Sequence, residues 1–146
     1  MTTTTQRIAL VEFMAMEETK PASEYDNGEV YQKPLPKRPH SIIQRLFIVI
    51  LDAYFKATGI GEVFPELRCV FGPESDRRDY VPDIACIATE RLTEDDEFQG
   101  PPDIAIEIMS PGQSARRFAR KLQFYLVNGV RLVWVIDPPT EKIDVY

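Results

Sequence analysis

The stretch Gly100-Pro-Pro-Asp-Ile-Ala-Ile-Glu-Ile-Met-Ser-Pro111 decides how the rest of the chain is read. Pro101 and Pro102 can neither continue a helix nor donate to a ladder, so they mark a start, and Ile104, Ala105, Ile106, Ile108 and Met109 follow as a buried strand. Glu107 interrupts that apolar run. A carboxylate in the middle of a core strand costs on the order of several kcal/mol unless it is paired, protonated or bound to a cation. That cost points to chemistry at Glu107. Asp103 reads as the residue that closes the turn at the strand's start, and Ser110-Pro111 as the exit turn.

A second stretch repeats the signature: Val81-Pro82-Asp83-Ile84-Ala85. If the two strands are neighbours in one sheet, Asp83 and Glu107 converge on a point, and two hard oxygen donors there suit Mg²⁺ or Mn²⁺, which needs only one or two protein carboxylates. Taken alone, Asp83 reads equally well as a turn residue that accepts nearby backbone N–H groups.

The spacing from Ser114 to Val127 predicts an amphipathic helix with Ala115, Phe118, Ala119, Leu122, Tyr125 and Leu126 on one face. Lys121 lies at the border of that face. Next to a metal its ammonium would orient a water or stabilise phosphate charge; otherwise it is a lysine whose stem covers apolar surface. Arg117 and Arg120 point to the solvent pole. With Arg116, and with Lys33, Lys37, Arg38, Arg77 and Arg78, they are candidate phosphate contacts. Phe124 falls opposite the apolar stripe, which predicts an exposed aromatic and a surface for a homodimer.

Outward from this centre, Arg7 to Glu17 has helical spacing, and Glu24 to Lys33 alternates around the turn Asp26-Asn27-Gly28 as a β-hairpin. His40 to Ala57 carries a broad apolar stripe, so a long, largely buried helix is expected there, with Gly59 as its stop. Val63 to Phe71 is a strand, Glu74 to Asp79 a polar loop, Val81 to Ala88 a strand and Glu90 to Glu97 an acidic loop. Arg131 to Ile136 and Lys142 to Tyr146 are the closing strands. Runs of strands between helices indicate an α+β fold in a single domain over residues 1–146.

The bulk numbers narrow the function classes. In 146 residues, 44% hydrophobic and 27% charged, there is enough for one sizeable core. No apolar run approaches the roughly 20 residues a spanning helix needs, and Met1 to Gln6 lack a basic, cleavable start, so a cytoplasmic location is expected. Seventeen basic against 23 acidic residues leave a net charge of −6, which excludes a uniformly basic nucleic-acid-binding surface but not a local patch. Cys69 and Cys86 read as buried thiols, and His40, the single histidine, as a cap-region or packing residue. A lone histidine makes no zinc site.

The series Ser23-Glu24-Tyr25-Asp26-Asn27-Gly28-Glu29-Val30, His40-Ser-Ile-Ile, Val81-Pro82-Asp83-Ile84, Pro102-Asp103-Ile-Ala-Ile-Glu107-Ile-Met-Ser110-Pro111, Lys121-Leu-Gln-Phe-Tyr125, Gly129-Val130 and Trp134-Val-Ile-Asp137-Pro138 resembles the Uma-two family of restriction-endonuclease-like proteins, within the PD-(D/E)xK nuclease superfamily. The resemblance runs from about Glu12 onward. It implies a restriction-endonuclease-like core, a central mixed sheet flanked by helices, and endonucleolytic hydrolysis of DNA with Mg²⁺ or Mn²⁺. Asp83 matches the first superfamily acid and Glu107 the second. Met109 stands where the superfamily places its lysine, and Lys121 occupies the matching place on the following helix. Glu24, locally an exposed hairpin residue, matches an acid that joins the site. Family members commonly continue through further strands, so the resemblance implies a fragment or a short form. The rival expectation is a module that keeps this fold and binds nucleic acid or protein without turnover, which the net charge favours.

Overall fold

Ile104–Ile108 forms the central strand of a five-stranded mixed sheet, as its apolar run predicts, and the pleat sorts its side chains between two cores. Ala105 joins Tyr125, Val133 and Val135 on one face, while Ile106 and Ile108 join Ile84, Cys86 and Ile136 on the other. Glu107 shares the face of Ala105.

The computed structural model describes residues 7–146; the start from Met1 to Gln6 lies outside the described residues. The elements in order are α1 (Leu10–Ala15), β1 (Ser23–Asp26), β2 (Glu29–Gln32), α2 (Arg38–Thr58), β3 (Gly61–Pro65), β4 (Cys69–Phe71), β5 (Arg78–Tyr80), β6 (Ile84–Ala88), β7 (Phe98–Gln99), β8 (Ile104–Ile108), α3 (Ala115–Val127), β9 (Leu132–Asp137) and β10 (Lys142–Val145). The fold is α+β, but the single central sheet expected from the sequence is two mixed sheets. The larger core sheet has the order β10-β9-β8-β6-β3; the second has the order β2-β1-β5-β4-β7. The apolar stretch Val63 to Phe71 divides between them. Glu66 takes a left-handed backbone (φ +51°), so β3 pairs with β6 in one sheet and β4 with β5 in the other.

The polar stretch expected as a loop supplies β5, because its charges are neutralised locally: Asp79 is buried, with Arg77 on both carboxylate oxygens at 2.5 and 2.9 Å. The crossover from β8 to the parallel β9 runs through α3, as parallel pairing requires a long connection.

Two expectations about packing are corrected. The long helix is α2, stopped by Gly59 at φ +71°, yet it is not largely buried. Ile43, Phe47 and Phe55 pack with buried Leu51 on the core sheet, whereas Val49 and Ile50 are 62% and 65% exposed. Its apolar stripe is wider than the surface the sheet offers it. Phe124 is not an exposed aromatic. It packs edge-on to Phe71 and Tyr80, each 5.3 Å away, because α3 lies between both sheets and is covered on two sides, which a one-faced helical wheel does not anticipate. The expectation of a homodimer therefore draws nothing from Phe124. Among the described residues no helix is long and apolar enough to cross a membrane.

Ile106, fully buried, and Ile50, largely exposed, test this packing: Ile106→Ala is expected to lower unfolding free energy by about 2–5 kcal/mol and Ile50→Ala by no more than about 0.5, measured by denaturant titration.

Candidate active site

The register of the two Pro-Asp strands sets the site. β6 and β8 run antiparallel with Ile84 opposite Ile106 and Ala85 opposite Ala105, so one step further Asp83 stands opposite Glu107. Both carboxylates lie at one end of the core sheet and line a cavity of about 900 Å³. β1 brings Glu24 to it from the second sheet, and α3 brings Lys121. The helix starts at a Ser114 cap whose hydroxyl accepts the Arg117 N–H, and seven positions on, Lys121 points at the sheet.

Lys121 is the common partner. Its Nζ is 2.6 Å from Glu107 Oε1 and 2.8 Å from Glu24 Oε2. The Tyr125 hydroxyl donates to the same Glu107 oxygen at 2.9 Å, leaving Oε2 outside both contacts. Glu24 Oε2 also accepts the Val81 N–H at 2.7 Å, so this residue is buried rather than an exposed hairpin position. Asp83 is held separately. Its Oδ2 accepts the Ile108 N–H at 2.7 Å, and its Oδ1 faces Lys33 Nζ at 2.8 Å and His40 Nε2 at 3.2 Å.

These surroundings drive the two strand carboxylates apart. Burial dominates at Glu107 and pushes it up to about 7 in spite of Lys121, with Asp83 adding to the rise. At Asp83 burial is outweighed by His40, Lys33 and the Ile108 N–H, which hold it well below the usual carboxylate range. Burial works against the ammonium of Lys121, but Glu107 and Glu24 outweigh it and keep it protonated. Of the Glu107–Lys121 pair, the carboxylate is the member that titrates.

His40, Glu66 and Tyr125 are contacts that the sequence did not assign to the site, and Lys33, expected as a phosphate contact, turns to Asp83 instead. Lys33 gives its donors to Glu66 Oε2, Val81 O and Asp83 Oδ1, so it fixes Asp83 rather than facing solvent as a phosphate contact. His40 sits in the first turn of α2, as a cap-region residue would, and turns its ring to Asp83. Nothing in the local sequence aims either residue at Asp83; only the path of the β2–α2 link does.

The arginines of α3 separate. Arg117 is exposed, as expected, and also lines the cavity, with its guanidinium 3.3 Å over the Tyr31 ring. Arg120 donates to Glu29 at 3.2 Å and to the Tyr31 hydroxyl at 3.1 Å, and Arg116 is exposed outside the lining. The Ser110 N–H donates to Gln113 Oε1 at 3.2 Å, a turn contact. Burial pushes the Cys69 and Cys86 thiols up to about 12, which removes them as nucleophiles.

Among the described residues no three His, Cys, Asp or Glu side chains come together as an ion cage. A small divalent cation that keeps most of its waters asks for less, and the opposed Asp83 and Glu107, with Glu107 Oε2 uncommitted, fit that demand.

Residues 10–146 match the family model Uma2, described as "Putative restriction endonuclease". The chain belongs to the Uma2 family. A crystal structure of a "putative nuclease belonging to DUF820" from Anabaena variabilis ATCC 29413 matches it with a TM-score of 0.85 and 37% identity, covering 95% of this chain and 79% of the other. The comparison with curated proteins gives no match. This Uma2 chain thus has a nuclease-like fold, as its ordered motifs imply.

Lys121→Met leaves two buried carboxylates facing each other and is expected to cost about 3–5 kcal/mol, with a large part recovered in the Lys121→Met/Glu107→Gln double variant, read from a double-mutant denaturation cycle. A second expectation concerns pH. Because Glu107 titrates near 7 when folded and near 4.5 otherwise, the native state keeps a proton that the unfolded chain has lost, and stability falls as pH rises through that window in metal-free buffer. Glu107→Gln flattens this fall, as thermal midpoints between pH 4.5 and 7 will show.

Proposed function

We propose that this Uma2 protein is an endonuclease that hydrolyses phosphodiester bonds in DNA, with Mg²⁺ or Mn²⁺ held by Asp83 and Glu107 and with Lys121 and Glu24 beside them. The observation that carries this is the placement of the Lys121 ammonium within 2.8 Å of both Glu24 and Glu107 at the cavity that Asp83 also lines. Two of its three N–H donors go to the carboxylates, which leaves one for a phosphate oxygen. Lys33 and the Ile108 N–H orient Asp83, and Tyr125 orients Glu107. A bound divalent cation would supply a water of lowered pKa and neutralise charge on the phosphate. The name of the Anabaena variabilis neighbour supports the same reading. Two free buried thiols suit a reducing, cytoplasmic compartment.

One contact favours a second reading, a nuclease-fold module that binds nucleic acid or protein without turnover: Lys33 already places a cation on Asp83 Oδ1. Calorimetry separates the two, since a module of that kind takes up no Mn²⁺ that Glu107→Gln would abolish.

Incubation with circular single-stranded and plasmid DNA is the direct test. Cleavage that needs Mg²⁺ or Mn²⁺, stops with chelator and falls on the order of 100-fold or more in Glu107→Gln and in Lys121→Ala is expected. If both variants cut as well as the parent, the assigned roles are wrong.

A further inference from the structure

The floor of the cavity is deep: Asp83 is 3% exposed, Glu107 4% and Lys121 8%. Its walls are connecting segments, Thr19 to Ala22, Lys33 to Pro36 and Gly112 to Ser114. Tyr31, Pro34, Leu35, Pro36 and Phe118 supply an apolar part of the lining, and Leu35 stands 73% exposed between the two prolines. The Tyr31 ring is fixed by Arg117 over its face and Arg120 on its hydroxyl. Neither the carboxylates nor the ammoniums need such a shelf.

Duplex DNA is a stiff rod, with a persistence length of about 50 nm, and carries its phosphates on a convex exterior. A convex backbone does not reach charged groups that are nearly inaccessible at the bottom of a recess. A duplex also asks for a broad basic track, about 6–10 phosphate contacts in a tight complex. This chain has a net charge of −6; of the α3 arginines, Arg120 is tied to Glu29 with Asp26 near it, and Arg117, in the lining, lies over the Tyr31 ring. An unpaired strand meets neither obstacle. Its backbone bends into the recess, and its unstacked base finds the aromatic and aliphatic wall that single-strand binders use.

Resting on the nuclease reading above, we propose that the substrate is unpaired DNA: a single-stranded segment enters the cavity, with a base against Tyr31, Leu35 and Phe118 and the adjoining phosphate at Lys121. The carboxylates then act on a strand that has left the helix, and a paired duplex is a poor substrate unless it frays.

The test compares a circular single strand with a relaxed, covalently closed duplex of the same sequence, both with Mn²⁺. The single-stranded circle is expected to be opened at least about 10-fold faster, and Leu35→Ser to raise KM for it while leaving kcat in place. Equal or faster opening of the relaxed duplex overturns the inference and leaves the nuclease reading standing. Anisotropy with a labelled oligothymidine and a duplex of equal length separates the remaining case. If neither circle opens but the single strand binds at least about 10-fold tighter, the nuclease reading fails and the preference for unpaired DNA holds. If the duplex binds as tightly, the preference is overturned.

Discussion

The ammonium of Lys121 is the constraint on which the rest of the structure turns. Glu24 belongs to one sheet and Glu107 to the other, and Lys121, from the helix between them, touches both. Without a cation at that point two buried carboxylates of different sheets would face each other, and the sheets could not close over α3 in this arrangement. The same contact that joins the two halves also concentrates charge at the cavity. Stability and candidate chemistry therefore meet in one side chain, and a residue that only covered apolar surface would have no such double partnership.

The Pro-Asp motif occurs twice and does the same local work twice. Asp83 precedes β6 and accepts the N–H of Ile108 at the end of β8; Asp103 precedes β8 and accepts the N–H of Ala88 at the end of β6, each at 2.7 Å. In an antiparallel pair the two devices necessarily sit at opposite ends. What differs is the company at each end. Asp103 meets Arg91 at 3.0 Å, outside the cavity lining, whereas Asp83 meets Lys33, His40 and the cavity. The turn reading of Asp83 and its candidate metal role are not rivals: one oxygen serves the backbone, and the other faces the charged cluster.

This explains how far the sequence could be read. β8 and α3 were legible because their periods are strong, and Glu107 because a charge inside an apolar run demands a partner. The pleat alone puts Glu107 on the side of Ala105, towards α3. The division into two sheets was not legible, since it rests on one left-handed residue, Glu66, inside a continuous β-rich stretch. The pairing of Lys33 and His40 with Asp83 was not legible for a related reason: they reach it across some 50 and 43 positions of chain, and no local spacing encodes such a meeting. Glu24 was assigned through family likeness rather than through its own surroundings. The burial of Phe124 and the bare side of α2 both depend on how much surface the neighbouring layers offer, which a helical wheel does not contain.

The charges at the floor bear on the order in which ligands can arrive. Glu24, Glu66, Asp83 and Glu107 stand against Lys33 and Lys121, so with all six ionised the cluster carries an excess of two negative charges. A phosphodiester approaching it is repelled, and a cation is attracted. Environment has split the carboxylates so that Asp83 stays ionised while Glu107 titrates near neutrality, the arrangement by which paired acids acquire different roles. Glu107 thus sets how negative the cluster is. In the proposed nuclease, ionised Glu107 would favour a divalent cation, whose charge would offset the repulsion of a phosphate beside Lys121. Lys33 supports this order because its three donors are committed to Glu66, Val81 and Asp83, so it stabilises the ionised carboxylate without competing for the incoming strand.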